Sequence, residues 1–228
     1  MLLMTVDDST GDLIGGVEEF DNPRVDELTA RLEERVAKDP KDVRSLLLLG
    51  NGYYLQGKIA KSIEMFNRAI ALNPEYPYAY YYIGIARYRS AHMKEAIAAL
   101  ERVTALAPSM VMAYYWLGIT YFHCGRYAEA RKAFETLLEK NKESHIAHYH
   151  AAVICAFERD YAAARAHLEA LVNLGSQDPQ VYLRLGTCYF HLHKLSEAMQ
   201  AYRKGLKLNP DNQPLKEALA ELADVQEP

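Results

Sequence analysis

Apolar residues recur through most of this chain at the i, i+3, i+4, i+7 spacing that places them on one face of a helix. Tyr80, Ile83 and Gly84 begin one such stripe. Displaced by 34 residues, the pattern returns in register: SLLLLGNGYY (45–54), AYYYIGIARY (79–88), AYYWLGITYF (113–122), AHYHAAVICA (147–156) and VYLRLGTCYF (181–190). A second block keeps step with the first: GKIAKSIEMF, AHMKEAIAAL, GRYAEARKAF, RDYAAARAHL and HKLSEAMQAY. It sets a small residue (Ser62, Ala96, Ala130, Ala164, Ala198) four places before a bulky one (Phe66, Leu100, Phe134, Leu168, Tyr202). Small against large at that spacing lets two helices approach and interlock. The spacing therefore predicts five consecutive units, 43–76, 77–110, 111–144, 145–178 and 179–212, each a pair of helices. Pro74, Pro108 and Pro210 close three of them, because proline cannot continue a helix interior. Lys142 and Ser176 stand at that place in the third and fourth units.

A 34-residue helix–turn–helix with Gly50, Gly84, Gly118 and Gly186 at one place, and Tyr53, Tyr121 and Tyr189 three residues on, resembles the tetratricopeptide repeat. The later alanine, aromatic and proline places fit that family too. Ala151–Ala152 and Gly205 depart from its pattern, and the fourth unit is the most divergent. The resemblance implies an all-α fold, a right-handed α-solenoid of helix–turn–helix repeats, whose first helices line a concave groove that holds an extended peptide or a partner helix.

The flanking segments read as ends of such an array. Residues 24–42 place Val25, Leu28, Leu32 and Val36 on one face, and Pro40 lies 34 residues before Pro74, so a half-repeat capping helix is expected. Residues 213–228, with Leu215, Leu219 and Leu222 on one side, read as a C-terminal capping helix. Residues 1–23 lack periodicity and read as an acidic, disordered tail.

Within each first helix the fourth, seventh, eighth and eleventh places form the core stripe. The second, fifth, sixth, ninth, twelfth and thirteenth form a second wedge, which on a free-standing hairpin should be polar. Here it is rich in rings. The expected partner-binding residues on it are Asn51, Tyr54, Tyr78, Tyr81, Tyr82, Tyr88, Arg89, Met112, Tyr115, Trp116, Phe122, His123, Tyr149, His150, Phe157, Arg184 and Phe190. Ten such rings, each leaving about 100 Å² bare, would make a patch of about 1,000 Å², beyond what soluble monomers carry idly. Tyr53, Tyr80, Tyr114, Tyr121, Tyr182 and Tyr189 are read as core.

One tetratricopeptide class grips C-terminal carboxylates of chaperones with Lys and Asn. The corresponding places here are Leu47 and Asn51, then Tyr82, then Met112 and Trp116, and only the asparagine survives. The expected ligand is instead a protein or peptide segment with apolar or aromatic anchors.

Composition narrows the classes. Of the formal net charge of −4, residues 1–23 supply −6, leaving +2 on residues 24–228, so no basic field points to nucleic acid. Cys124, Cys155 and Cys188 form no CxxC, and a scattered odd set suits a reducing compartment. No apolar run is long enough to span a membrane and no signal peptide is evident, so a cytoplasmic protein is expected. His148/His150 and His191/His193 are i, i+2 pairs that point apart on a helix, so no metal is expected. No catalytic or cofactor motif is present. The function expected is a non-enzymatic interaction scaffold or adaptor. A dedicated chaperone for a secreted or membrane-destined protein, and a self-assembling structural protein, are the alternatives. Self-association through the groove or through the acidic tail, whose LIGGVEEF (13–20) combines anchors with acids, belongs to the same expectation.

Overall fold

The computed structural model describes residues 23–224. Residues 1–22 and 225–228, including the expected acidic tail and its docking segment, lie outside the described residues. The described residues form twelve α-helices: α1 (Pro23–Lys38), α2 (Val43–Leu55), α3 (Ile59–Leu72), α4 (Pro77–Arg89), α5 (Met93–Leu106), α6 (Val111–His123), α7 (Tyr127–Lys140), α8 (His145–Phe157), α9 (Tyr161–Asn173), α10 (Pro179–His191), α11 (Leu195–Leu208) and α12 (Gln213–Asp224). The fold is all-α, and α2, α4, α6, α8 and α10 begin 34 residues apart. They fall into two compact units that divide within α7, 23–133 and 134–224.

The turn inside each helix pair has one recurring cause. Ala91 N–H bonds Tyr88 O and His92 N–H bonds Arg87 O, which is a Schellman closure around a left-handed residue. Its left-handed place is held by Gly57, Ala91, Gly125, Arg159 and His193, with φ between 58° and 72°. The joint after a second helix is built differently. Asn73 and Asn209 accept from the N–H groups of Glu75 and Asp211, ahead of the next helix. The two joints without proline keep the break: Asn141 accepts from Glu143 N–H, and Gly175 (φ 86°) closes α9.

Packing inside each pair follows the small–large pattern. Ser62, Ala96, Ala130, Ala164 and Ala198 are wholly buried, and so are Phe66, Leu100, Phe134, Leu168 and Tyr202 after them. The eighth-place glycine of the first helix is what admits the large residue. A Cβ at Gly186 would stand 2.2 Å from the Tyr202 ring, and one at Gly50 would stand 2.4 Å from Phe66. Gly205 answers another approach, since a Cβ there would meet Leu215 of α12 at 2.7 Å.

The core tyrosines at the eleventh place find partners for their hydroxyls. Tyr53 donates to Glu33 and Tyr189 to Glu169, each at 2.6 Å, and Tyr121 donates to Glu101. Each partner is a glutamate 20 residues back, on the preceding second helix or, for Tyr53, on α1. Tyr53 and Tyr121 are buried as expected, whereas Tyr80, Tyr114, Tyr182 and Tyr189 are only half-buried. Helix α1 turns slightly from its expected face: Leu28 is 39% exposed and Thr29 is buried instead. Thr29 satisfies its hydroxyl on Val25 O at 2.7 Å, and its small size lets Gly52 of α2 approach.

Candidate partner-binding site

In the unit 23–133 the ring-bearing places of α4 and α6 build a continuous aromatic wall. Trp116 lies at its centre. Tyr88 and Tyr115 meet its ring edge-on, with centroids at 5.5 and 5.3 Å, and its indole hydrogen-bonds the Tyr81 hydroxyl. Tyr82 stacks on Phe66 at 5.5 Å, and Tyr81 contacts it edge-on. At the helix ends the Tyr88 hydroxyl lies 2.6 Å from His123 Nδ1 with the two rings stacked. Arg89 sits 4.8 Å over the Tyr54 ring, a cation–π contact. Phe122 packs edge-on against Tyr127.

Mutual contact changes which of these rings reach solvent. Tyr54, Tyr115 and Trp116 are buried, with 4–5% of their surface exposed. They therefore form the body of the wall rather than its face. The ninth place, assigned to the outer wedge, is core at Ile85 and Ile119. Rotation about a helix axis locates a side chain's direction, but a neighbouring ring decides whether that direction is covered. Tyr78 is 50% exposed, Arg89 and His123 are exposed, and Tyr81, Tyr82, Tyr88, Met112 and Phe122 are half-buried. Burial pushes the Tyr81 and Tyr115 hydroxyls up to about 12, so they stay neutral donors. Asn51 is half-buried, and its side-chain oxygen is buried with no hydrogen-bond partner among the described residues.

In the unit 134–224 the wall is thinner. His150 stacks on Phe134 at 5.1 Å and meets Tyr149 edge-on. Arg184 Nε donates to the Tyr149 hydroxyl at 3.1 Å, with the guanidinium over the Tyr149 ring. Phe157 is 67% exposed. Phe190 is half-buried against His191, whose ring is stacked at 4.1 Å by Tyr161, a residue the helical pattern had not singled out. Between α8 and α10 lies a hollow of about 200 Å³ floored by Cys188. Burial pushes that thiol up to about 11, which leaves it an unreactive apolar surface. Among the described residues no group of three or more His, Cys, Asp or Glu is placed to hold a metal ion, and no helix is long and apolar enough to cross a membrane.

Family models described as TPR repeat and tetratricopeptide repeat match residues 50–90, 87–153 and 179–212. No curated protein matches the chain. Among solved structures it is similar to YrrB, described as a TPR protein with an unusual peptide-binding site, at 16% identity and a TM-score of 0.74. That match covers 83% of this chain and 98% of the other. It is similar to Pseudomonas aeruginosa pilF at 18% identity and a TM-score of 0.73, over 87% of this chain and 90% of the other. MamA from Desulfovibrio magneticus RS-1 matches at 15% identity and a TM-score of 0.68, over 75% of this chain and 97% of the other. At these identities the likeness is one of fold.

Proposed function

The chain belongs to the tetratricopeptide repeat family, and from that premise we propose that it is a non-enzymatic interaction scaffold. The row of tyrosines on α4 and α6 receives a peptide or helical segment of a partner protein. One observation carries this reading: the face of α4 away from its core stripe presents Tyr78, Tyr81, Tyr82 and Tyr88 where a solvated helix would carry charge. Rings that are half-exposed yet held by stacking offer area at low entropic cost, which is the character of interface anchors. The unpartnered Asn51 oxygen is an acceptor for an N–H of the bound segment. Arg89, Met112, His123, His150, Phe157, Arg184 and Phe190 extend the contact set, while Tyr54, Tyr115 and Trp116 hold it in shape. The description of YrrB as a peptide-binding protein supports the same class of ligand.

The test separates surface from wall. Tyr78→Ala/Tyr82→Ala should keep the helical circular dichroism spectrum and lose the partners recovered by affinity purification and mass spectrometry. A folded double variant that retains every partner sinks the reading.

A further inference from the structure

The fourth unit breaks the aromatic wall at one place. The twelfth place of the first helix holds Tyr54, Tyr88, Phe122 and Phe190 elsewhere, but Ala156 on α8. Likewise the sixth place of the next first helix is Trp116 beside Tyr88, but Arg184 beside Ala156. The pair Tyr88–Trp116, in ring contact at 5.5 Å, is thus replaced by a methyl group and a cation. Tyr161 does not fill the gap. Its equivalent, Tyr127, packs on Phe122, whereas Tyr161 turns its face to His191 at 4.1 Å. The outcome is the hollow of about 200 Å³, walled by Ala152, Ala156, Leu168 and Leu183, floored by Cys188 and rimmed by Arg184.

Size and charge then name the occupant. A cavity of about 150 Å³ takes a benzene-sized group, and whole small-molecule sites start near about 300 Å³. This hollow therefore suits one side chain and is too small for a cofactor. Its walls are apolar and its thiol stays protonated, so the side chain is apolar. Arg184 is held by the Tyr149 hydroxyl, a neutral acceptor, and no carboxylate of the described residues pairs with it. A guanidinium oriented and uncompensated at an apolar mouth favours a carboxylate, with which it forms bidentate bonds.

We infer that this hollow is an anchor pocket for a partner segment carrying a phenylalanine, leucine or methionine side chain next to an aspartate or glutamate, the side chain entering between α8 and α10 and the carboxylate meeting Arg184. The inference rests on the scaffold reading above and adds the motif that the scaffold selects.

A random-peptide phage library selected on the full chain, on Ala156→Phe and on Arg184→Gln tests it. Phenylalanine stands at the equivalent place as Phe122 and Phe190, so the filling substitution suits the helix, and Ala156→Met serves as a second filler of different shape. The wild type should enrich peptides with an apolar residue adjacent to an acid. For a synthesised winner, affinity should fall about tenfold or more on either filling variant. Arg184→Gln should weaken that peptide about tenfold but leave its Glu→Gln analogue within about twofold. A motif and affinity unchanged by both fillers overturns the pocket and leaves the scaffold reading standing. No enrichment on the wild type overturns both. Concentration-dependent self-association of the full chain by light scattering, abolished by Ala156→Phe, overturns the foreign segment in favour of a second copy.

Discussion

Gly186 and Tyr202 set the closest approach inside a helix pair, and they show how little tolerance the repeat has at that point. A Cβ at Gly186 would fall 2.2 Å from the Tyr202 ring. Gly186→Ala should therefore cost about 1–3 kcal/mol, read as a lowered urea midpoint at unchanged slope. The fourth unit already combines an alanine, Ala152, with a leucine, Leu168, in one buried cluster. Adding Tyr202→Leu to Gly186→Ala should accordingly recover part of the loss, and a purely additive double variant would refute the steric account. The opposite change is expected at Arg159, a non-glycine residue at φ 61°. Arg159→Gly should raise stability by about 0.5–1 kcal/mol by removing left-handed strain, as thermal denaturation would report.

At the scale of the helix, burial separates residues that the sequence places on one face. Trp116 and Tyr78 both belong to the second wedge, yet Trp116 is 5% exposed and Tyr78 is 50% exposed. Trp116→Ala should destabilise the fold by about 3–5 kcal/mol and impair binding only through that loss. Tyr78→Ala should leave stability within about 0.5 kcal/mol. Equal stability of the two variants by chemical denaturation would overturn the distinction between wall and face. Helix existence, the small–large lock and the turn places were legible because each is a local rule repeated five times. The covering of Tyr115 and Trp116 was not, because it depends on rings from a helix 35 residues away in sequence.

For the molecule as a whole, the tyrosines tie stability to alkaline pH. Desolvation, aided at Tyr53 and Tyr189 by a glutamate acceptor, pushes Tyr53, Tyr81, Tyr115 and Tyr189 up to about 12. In the unfolded chain a tyrosine ionises near about 10. The folded state thus keeps protons that the unfolded state releases, so stability is full below about pH 10 and falls as the pH rises toward about 12. Urea midpoints across that window should decline, and less steeply for Tyr53→Phe. A flat profile would contradict the burial of these hydroxyls.

Sequence alone determined the all-α repeat, the 34-residue step and the residues that lock each pair, because a helix face is set by 3.6-residue periodicity and a lock by residue volume. Sequence also marked the outward face of α4 as abnormally aromatic. Only the tertiary structure decided which of those rings cover one another, which hydroxyls find glutamates, and that Ala156 opposite Arg184 leaves a charged-rimmed hollow. Those outcomes arise from side chains meeting across neighbouring helices, where a single small residue counts through what it fails to fill.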